Sequence, residues 1–362
     1  MVQLAVIEPR AGEDGRVPSV TRVLDDWYVV CRSNELGRKP LATTLFGTPL
    51  VVFRTKEGVG ALLDRCPHRN VPLSLGKVVD DERLRCGYHG WEFDRDGAVR
   101  HIPCLVGEPE SGARRTAAFA AKEQQGYVWV YATPDVEPAR EPFSFPFTDD
   151  RAYTSVRAEV DLEGTVHAVA ENALDVPHTA YLHGGLFRTP ERKSEIDVVI
   201  RRWHDRCEAE YIGEARPSGL LGRLLAPKGG EVVHYDRFFL PSITQVEYRL
   251  GTDSHLVVNA ALTPLSDFKT RLYGLVTFRI PVPVPGRLLG RLLRPAGLFI
   301  LGQDARMLKV QAATIRAFGE EKLVSTEVDC LGPHILKLLR DAERGRRDAR
   351  EQPFERRVKM RV

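Results

Sequence analysis

Residues 66–69 read Cys-Pro-His-Arg, and residues 86–91 read Cys-Gly-Tyr-His-Gly-Trp. Each short stretch offers one thiol and one imidazole. Seventeen residues lie between His68 of the first stretch and Cys86 of the second. Thiolates and imidazoles are the side chains that hold softer transition metals. The two stretches therefore predict a metal site with two sulfur and two nitrogen ligands, supplied by Cys66, His68, Cys86 and His89.

This ligand set fits two kinds of metal site. A [2Fe–2S] cluster in which two histidines replace two cysteines on one iron needs these four side chains. A structural zinc ion also accepts two Cys and two His, although zinc sites more often pair C-x2-4-C with H-x3-5-H. Gly76, Gly87 and Gly90 would let the backbone turn tightly around a bulky cluster. The spacing favours the cluster and leaves zinc as the alternative.

A second histidine-rich stretch, residues 171–183, reads Glu-Asn-Ala-Leu-Asp-Val-Pro-His-Thr-Ala-Tyr-Leu-His. Two histidines and one distant carboxylate form the facial triad of non-haem iron(II) oxygenases. On a straight helix His178 and His183 would point about 140° apart, but Pro177 breaks the helix and could bring both rings to one side. Asp175, three residues before His178, can accept the spare ring N–H. Two histidines in such a segment are more often ordinary core or surface residues, but beside the first motif a metal site is favoured.

Together the motifs resemble the oxygenase components of Rieske non-haem iron oxygenases (the ring-hydroxylating oxygenase alpha-subunit family, in its monooxygenase and demethylase branch). The resemblance rests on C-P-H-R, C-G-Y-H-G-W and N-x-x-D-x-x-H-x4-H, which occur in this order, and it covers nearly the whole chain. It implies that the first four ligands hold a Rieske [2Fe–2S] cluster and that His178 and His183 bind a mononuclear Fe(II). It also implies that Asp175 links His178 to a cluster histidine, His89, of a neighbouring subunit.

The resemblance calls for a third iron ligand, an Asp late in the chain. Asp304 is the best match, because it lies in an amphipathic segment that predicts a helix over residues 299–318. Without the resemblance, a solvated or capping Asp would be the simpler interpretation. Asp329 and Asp267 are weaker candidates. Asn172 is either a group beside the iron or a helix N-cap.

The fold class implied is α+β, with an N-terminal all-β Rieske domain and a C-terminal helix-grip (START-like) domain built on a curved antiparallel sheet. Short strand-like runs separated by turn residues agree with this in the first part of the chain. The Pro-rich stretch that follows predicts a linker. The expected boundaries are a Rieske domain over 22–135, a linker over 136–147, a catalytic domain over 148–340 and a basic tail over 341–362.

Composition is that of an ordinary soluble, cytoplasmic enzyme. The 362 residues are 43% hydrophobic and 28% charged, no apolar run reaches the length of a membrane span, and the first residues lack a secretory pattern. The six cysteines are too few for a disulfide scaffold, and the four outside the metal motif are expected to be buried. Aromatic residues are not interleaved with basic ones, which argues against nucleic-acid binding.

By resemblance, the expected activity is monooxygenation of a hydrophobic, polycyclic substrate with O2. Demethylation of a small aromatic and desaturation are alternatives, and a non-catalytic Rieske electron-transfer protein is an alternative of another class. The sequence has no nucleotide fingerprint and no four-Cys ferredoxin run, so electrons from NAD(P)H must arrive through a separate reductase, with or without a ferredoxin. The chain length is typical of the homotrimeric branch, in which electrons pass between subunits.

Two further patterns allow several interpretations. Segments 219–227 and 287–295 are near copies rich in Leu and Arg. They fit surface helices, apolar loops at a pocket mouth, or a membrane-surface contact. The basic residues of 341–362 fit a solvated tail or a trimer arm, or a docking patch for an acidic ferredoxin.

Overall fold

The computed structural model describes residues 17–109, 111–183, 194–215, 231–251, 254–281, 285–346 and 353–361. The chain divides into two compact units. The first is Val23–Phe145, and the second begins at Pro146 and also includes the described residues before Val23. Within the described residues no helix has the length and apolar character needed to cross a bilayer.

The first unit is all β apart from two short 3-10 turns at Leu73–Leu75 and Gly112–Arg114. Its strands are β1 Trp27–Arg32, β2 Leu41–Leu45, β3 Thr48–Thr55, β4 Gly58–Leu63, β5 Lys77–Val79, β6 Arg83–Arg85, β7 Glu92–Phe93, β8 Val99–His101, β9 Ala118–Phe119, β10 Ala121–Gln124 and β11 Tyr127–Tyr131. They form three antiparallel sheets in the orders β1-β11-β10, β2-β3-β4-β9 and β5-β6-β7-β8.

A hydrophobic core in this unit carries the two cysteines of the metal motif. Cys66 and Cys86 pack among Phe53, Leu84, Phe93 and their buried neighbours. Because such a core is closely packed, it fixes the starting point of each metal-binding loop.

The described residues of the second unit form one large antiparallel sheet and four helices. Its strands are β12 Thr154–Leu162, β13 Glu195–Arg202, β14 Arg206–Ile212, β15 Val232–Phe239, β16 Ile243–Leu250, β17 Ser254–Ser266, β18 Lys269–Arg279 and β19 Phe354–Arg361. Its helices are α1 Val166–Leu174, α2 His178–Tyr181, α3 Gly286–Phe318 and α4 Gly332–Glu343. The sheet order is β12-β18-β17-β16-β15-β14-β13-β19, so the predicted α+β architecture is confirmed.

Helices α1 and α3 pack on one face of the large sheet. α1 contacts β15, β16 and β17, and α3 contacts β12. The α3 contact is close, because a side chain at Gly290 would approach Val156 of β12 to 2.4 Å. We call this side of the sheet the helical face.

Helix α3 is longer than the sequence predicts. It begins at Gly286 rather than at residue 299 and continues through Pro295. The added turns are anchored by Leu289, which is 5% exposed, and by the Gly290 contact. Segment 287–295 is therefore a helix, whereas its near copy at 219–227 lies outside the described residues.

Both ends of the second unit differ from the expected boundaries. The interpretation of 341–362 as a tail is corrected by β19, which pairs with β13 from Glu195↔Arg361 to Arg202↔Phe354. Val358 and Met360 are 7% and 3% exposed, so this basic strand alternates between a solvated and a buried face. The expected linker also differs, because Phe145 is 2% exposed and its N–H donates to Gln125 at 2.7 Å within the first unit.

The cysteines are all free. Cys31, Cys207 and Cys330 are buried as expected, but Cys104 is exposed, which corrects the expectation for that residue.

Candidate metal centres

The two loops of the first metal motif share one backbone design. The carbonyl of Cys66 accepts a hydrogen bond from Asn70 N–H at 2.9 Å, and the carbonyl of Cys86 accepts one from Gly90 N–H at 3.2 Å. The residue four positions after each cysteine has a left-handed backbone conformation, with φ of 61° at Asn70 and 72° at Gly90. Asn and Gly tolerate this conformation best. Each loop therefore turns back at once and presents its thiol and its imidazole on the same side.

The strand before the second loop also depends on a glycine. A side chain at Gly76 would lie 2.0 Å from the carbonyl oxygen of Arg85. Only a residue without Cβ allows the chain at position 76 to approach the strand before the second loop this closely.

The side chains of these loops fit a two-iron cluster better than a single zinc ion. The rings of His68 and His89 have centroids 4.5 Å apart, and the thiol of Cys86 is one cause of the raised pKa of Cys66. In the described part of the chain, the four residues do not bring three ligand atoms within 4.8 Å of one another. A tetrahedral ion would need all four together, whereas a cluster places the cysteines on one iron and the histidines on the other.

Two further observations fit a cluster. The Nδ1 atom of His68 is buried and has no hydrogen-bond partner among the described residues, which is unusual for a buried polar atom. Burial raises the pKa of the Cys66 thiol to about 11, so its thiolate requires a cationic partner. The indole of Trp91 stacks on the His68 ring at 4.8 Å and 6° and fixes its plane.

The outer end of this motif is open to solvent. His89 is exposed, and beside it Tyr88 and Leu75 are 63% and 71% exposed. A group bound by His89 would therefore lie near the surface of the first unit.

The second motif folds as two helices with a break between them. α1 ends at Leu174, and Asp175 has the extended angles φ −90° and ψ 110°. α2 then begins at His178, directly after Pro177. The helix is therefore broken at Pro177, as the sequence predicts, and the break brings His178 and His183 together.

The three residues predicted to bind iron converge. His178 Nε2 lies 3.2 Å from His183 Nε2, and Asp304 Oδ1 lies 3.6 Å from the first and 3.1 Å from the second. Three ligands at right angles on metal bonds of about 2.1 Å would lie about 3.0 Å apart. In the described residues this is the only trio of His, Cys, Asp or Glu within 4.8 Å, so the geometry fits a facial triad.

Each of the two histidines is held by a neighbour. Asp175 Oδ2 accepts hydrogen bonds from the His178 backbone N–H at 3.0 Å and from its ring Nδ1 at 3.2 Å. The ring Nδ1 of His183 pairs with Gln303 Oε1 at 2.8 Å. Such partners fix the tautomer and orientation of metal-binding histidines.

Asn172 and Gln303 complete the surroundings of the trio. Asn172 Nδ2 donates to Asp304 Oδ1 at 3.5 Å, so the Asn lies beside the site rather than at a helix N-terminus. Gln303 was missed by sequence reasoning, and its position next to Asp304 is the only signal that could have suggested it.

Two neighbouring carboxylates favour the protonated form of the His178 ring. Burial disfavours its protonated ring, but hydrogen bonds to Asp175 and Asp304 outweigh this and raise the pKa of His178 to about 9. A metal ion bound here must displace that proton, so iron binding competes with acid.

The weaker acidic candidates lie elsewhere. Asp267 accepts a hydrogen bond from Arg22 at 2.8 Å, and Asp329 accepts one from Thr326 Oγ1 at 3.1 Å. Neither joins the trio.

Two family models match the chain over most of its length. The Rieske [2Fe–2S] domain matches residues 26–117, and the vanillate O-demethylase oxygenase C-terminal domain matches residues 162–344, which is about half of the chain. The first match favours the cluster over a structural zinc ion, and the second leaves no role for the alternative of a pure electron-transfer protein.

Curated relatives and solved structures agree with these two family matches. Aminopyrrolnitrin oxygenase of Pseudomonas fluorescens is 27% identical over 83% of this chain and 85% of its own. The vanillate O-demethylase oxygenase subunit of a Pseudomonas strain is 27% identical over 84% and 90%. The crystal structure of dicamba monooxygenase bound to dicamba has a TM-score of 0.74 at 23% identity, covering 90% of this chain and 98% of that one, and it shows the shared fold. This chain belongs to the Rieske non-haem iron oxygenases, oxidoreductases whose oxygenase components carry a [2Fe–2S] cluster and a mononuclear iron.

Proposed function

We propose that this oxygenase monooxygenates a hydrophobic, polycyclic organic substrate, using O2 and electrons from a separate reductase, with or without a ferredoxin. The observation that carries the proposal is the convergence of His178, His183 and Asp304 to within 3.6 Å. A facial arrangement of three protein ligands leaves the opposite positions of a metal open. An electron-transfer protein would not need such a site.

We assign the cluster to Cys66, His68, Cys86 and His89 and the iron to His178, His183 and Asp304. When bound, the cluster supplies single electrons at a raised reduction potential, and the iron supplies a redox centre with open coordination positions. The chain itself orients the ligands. Asp175 and Gln303 hold the two imidazoles through their Nδ1 atoms, and Asn172 contacts the carboxylate.

The protein is proposed to act as a homotrimer in which Asp175 receives a cluster histidine, His89, of a neighbouring subunit. Two observations support this. The Asp175 side chain is 27% exposed although it bonds His178, so part of it is accessible to a further donor. His89 is exposed at the outer end of its loop. We expect assembly in the cytoplasm.

Demethylation is the second candidate, and the family of the C-terminal domain favours it. That domain matches the vanillate O-demethylase model, and the dicamba O-demethylase oxygenase component of Stenotrophomonas maltophilia is 34% identical over 57% of this chain and 61% of its own. Hydroxylation of a methyl group that is then lost as formaldehyde would use the same site. Desaturation has no comparable support.

A single-turnover assay tests the proposal. Metal-loaded, dithionite-reduced protein is mixed with ¹⁸O₂ and a panel of steroids, tetrapyrroles and small aryl ethers, and products are identified by mass spectrometry. A polycyclic product that gains one labelled oxygen supports the proposal. Loss of a methyl group from small aryl ethers alone would replace it with demethylation, and no product from protein that carries both metals would overturn it.

A further inference from the structure

One stretch of helix α3 is exposed on every side. The helix is anchored before this stretch by the buried Leu289 and by Gly290, which lies against β12 on the helical face of the large sheet. It is anchored again after the stretch by the buried Asp304. Between these anchors, residues 291–292 and 294–299 are all exposed. Because they span more than two helical turns, the exposure is not confined to one side of the helix.

The exposed side chains are largely apolar, which is unusual for a helix in water. Leu292 and Phe299 are 65% and 60% exposed, and Leu288 and Leu298 are exposed as well. A helix that meets solvent on every side is normally polar all round, because exposed apolar area is costly. Large apolar side chains that are exposed together mark a surface that contacts another body. We call residues 288–299 the apolar stretch.

The charges of the same region are all positive. From residue 286 to residue 303 the sequence contains Arg287, Arg291 and Arg294 and no acidic residue. Arg291 and Arg294 are exposed, and the long arginine side chain lets its charged end lie away from the apolar surface beside it. A surface that combines exposed Leu and Phe with Arg is complementary to a partner that is apolar inside and negative outside.

An anionic lipid bilayer has this combination, because its negative headgroups lie directly above its acyl chains. Leu288, Leu292 and Phe299 fall within about 40° of one another around the helix axis and span about 16 Å along it, so they can be immersed together. A fluid bilayer also closes around a helix on more than one side. An acidic protein would match the arginines, but its charged groups would lose hydration against the leucines.

We propose that the apolar stretch is a docking surface for anionic lipid bilayers, to which the oxygenase binds reversibly. Leu288, Leu292 and Phe299 enter the boundary between headgroups and acyl chains, and Arg291 and Arg294 contact the headgroup phosphates. Interfacial helices with Arg on one part of their surface and Leu and Phe on another bind membranes in this way.

Docking would bring the bilayer close to the proposed iron site. Phe299 precedes Asp304 by five residues, which is about 8 Å along the helix axis. A lipophilic substrate dissolved in the bilayer would therefore have a short path to that site. This consequence rests on the proposed function, whereas the docking itself does not.

Sedimentation with vesicles tests the docking. The full-length, metal-loaded protein is mixed with vesicles of phosphatidylcholine, prepared with or without phosphatidylglycerol, and the bound protein is measured after centrifugation. We expect at least about tenfold tighter binding to the vesicles that contain the anionic lipid, and loss of this difference at high salt. No binding to anionic vesicles, or equal binding to both kinds, would overturn the proposal.

Two phenylalanines of α3 provide a matched pair of variants. Phe299→Gln removes an aromatic side chain from the apolar stretch and should weaken binding to anionic vesicles at least about fivefold. Phe318→Gln is the control, because Phe318 is 77% exposed at the other end of the same helix, and it should leave binding unchanged. Both side chains are exposed, so both variants should keep the melting temperature of the unsubstituted protein. Equal effects on vesicle binding would contradict the docking surface.

Arg291→Gln tests the role of charge. Loss of this arginine should lower the affinity for anionic vesicles about fivefold and leave binding to neutral vesicles unchanged. Arg344→Gln is the control, because Arg344 is an exposed arginine at the end of α4. If the two variants lost affinity equally, or if neither did, the arginines of the apolar stretch would have no part in binding and the proposal would fail.

A second copy of the chain is the other candidate occupant of this surface, and sedimentation velocity without lipid distinguishes it. If Phe299→Gln changed the number of subunits per particle and left vesicle binding unaltered, the apolar stretch would be a subunit contact and not a lipid contact. None of these measurements needs turnover. An enzyme that binds anionic vesicles but forms no product would contradict the proposed function alone, and turnover without vesicle binding would contradict only this inference.

Discussion

The two proposed metal sites of this protein differ in how their residues are brought together. The proposed cluster ligands lie in two loops within residues 66–89, and each loop repeats the same backbone hydrogen bonds at its cysteine. The proposed iron ligands lie in α2, just after α2, and in a helix more than a hundred residues later in the chain. The first site is a property of local sequence, whereas the second exists only when the large sheet has brought α1 and α3 together. A substitution that disrupts one site should therefore leave the other site intact.

The largest expected effect follows from Asp304→Ala. Loss of one of three protein ligands should reduce iron affinity by well over about 100-fold, since even supporting residues contribute about 10–100-fold. The cluster, which shares no ligand with this site, should be retained. Iron and sulfide analysis together with the visible spectrum measures both at once.

Asp329→Ala is the matched control for that variant, because Asp329 binds Thr326 instead of the trio. If Asp304→Ala kept its iron, or if Asp329→Ala lost it, the assignment of the third ligand would be wrong.

A second large effect is expected from Asp175→Asn. The amide keeps the size of the side chain but removes the charge that holds the His178 ring at 3.2 Å. We expect both metals to remain and steady-state turnover to fall at least about 100-fold, because the hydrogen-bonded carboxylate orients the imidazole and is the proposed contact for a neighbouring subunit. Iron content and turnover are measured on the same preparation. Normal turnover would contradict the bridging role.

Gln303→Leu should have an intermediate effect. Its side-chain oxygen lies 2.8 Å from His183 Nδ1, and loss of such a partner lowers metal affinity by about 10–100-fold. Competition with a chelator measures this. Gln311→Leu serves as the control, since Gln311 is an exposed residue of the same helix. Equal effects of the two substitutions on metal affinity would mean that Gln303 does not support His183.

These expectations show which parts of the molecule the sequence reveals. The proposed cluster ligands could be selected from the sequence because Cys66 and His68 lie two residues apart, and such a short spacing keeps their side chains close together. Asp304 required a family resemblance, since nothing in residues 300–308 marks one Asp as a ligand. Gln303 was not predicted, because its contact depends on how α3 passes α2. Strand β19 was missed because its exposed Arg and Lys residues dominate the local charge pattern, while only Val358 and Met360 mark the buried side.

The register of the large sheet shows the same limit more strongly. Val156, Val246, Val258 and Val276 are ordinary strand residues in the sequence, and only the register across four strands aligns them. Local pattern gives the face of each strand, but it does not give the order β12-β18-β17-β16. The residues that share one face of a sheet are therefore harder to identify from the sequence than those of a short loop.

The smallest expected effect concerns Glu171, which lies on α1 about one helical turn before Asp175. Burial, and then the negative charges of Asp175, Asp329 and Glu321, raise the pKa of Glu171 to about 7. Because the folded pKa lies above the unfolded one, the folded state binds the extra proton. Stability from this group is complete below the unfolded pKa of about 4.3 and is lost as pH rises through about 7.

Glu171→Gln removes this pH-dependent loss. The variant should equal the natural protein in stability near pH 4 and exceed it by about 2 kcal/mol at pH 8, where the natural carboxyl is ionised in a buried position. Denaturant unfolding at both pH values measures the difference. Glu163→Gln is the control, because the partly exposed Glu163 pairs with Lys309, which lowers its pKa, so that variant should gain nothing at pH 8. A gain for Glu171→Gln that is independent of pH would mean that the carboxyl is ionised throughout, and the charge on α1 near Asp175 would then be one unit more negative than we infer.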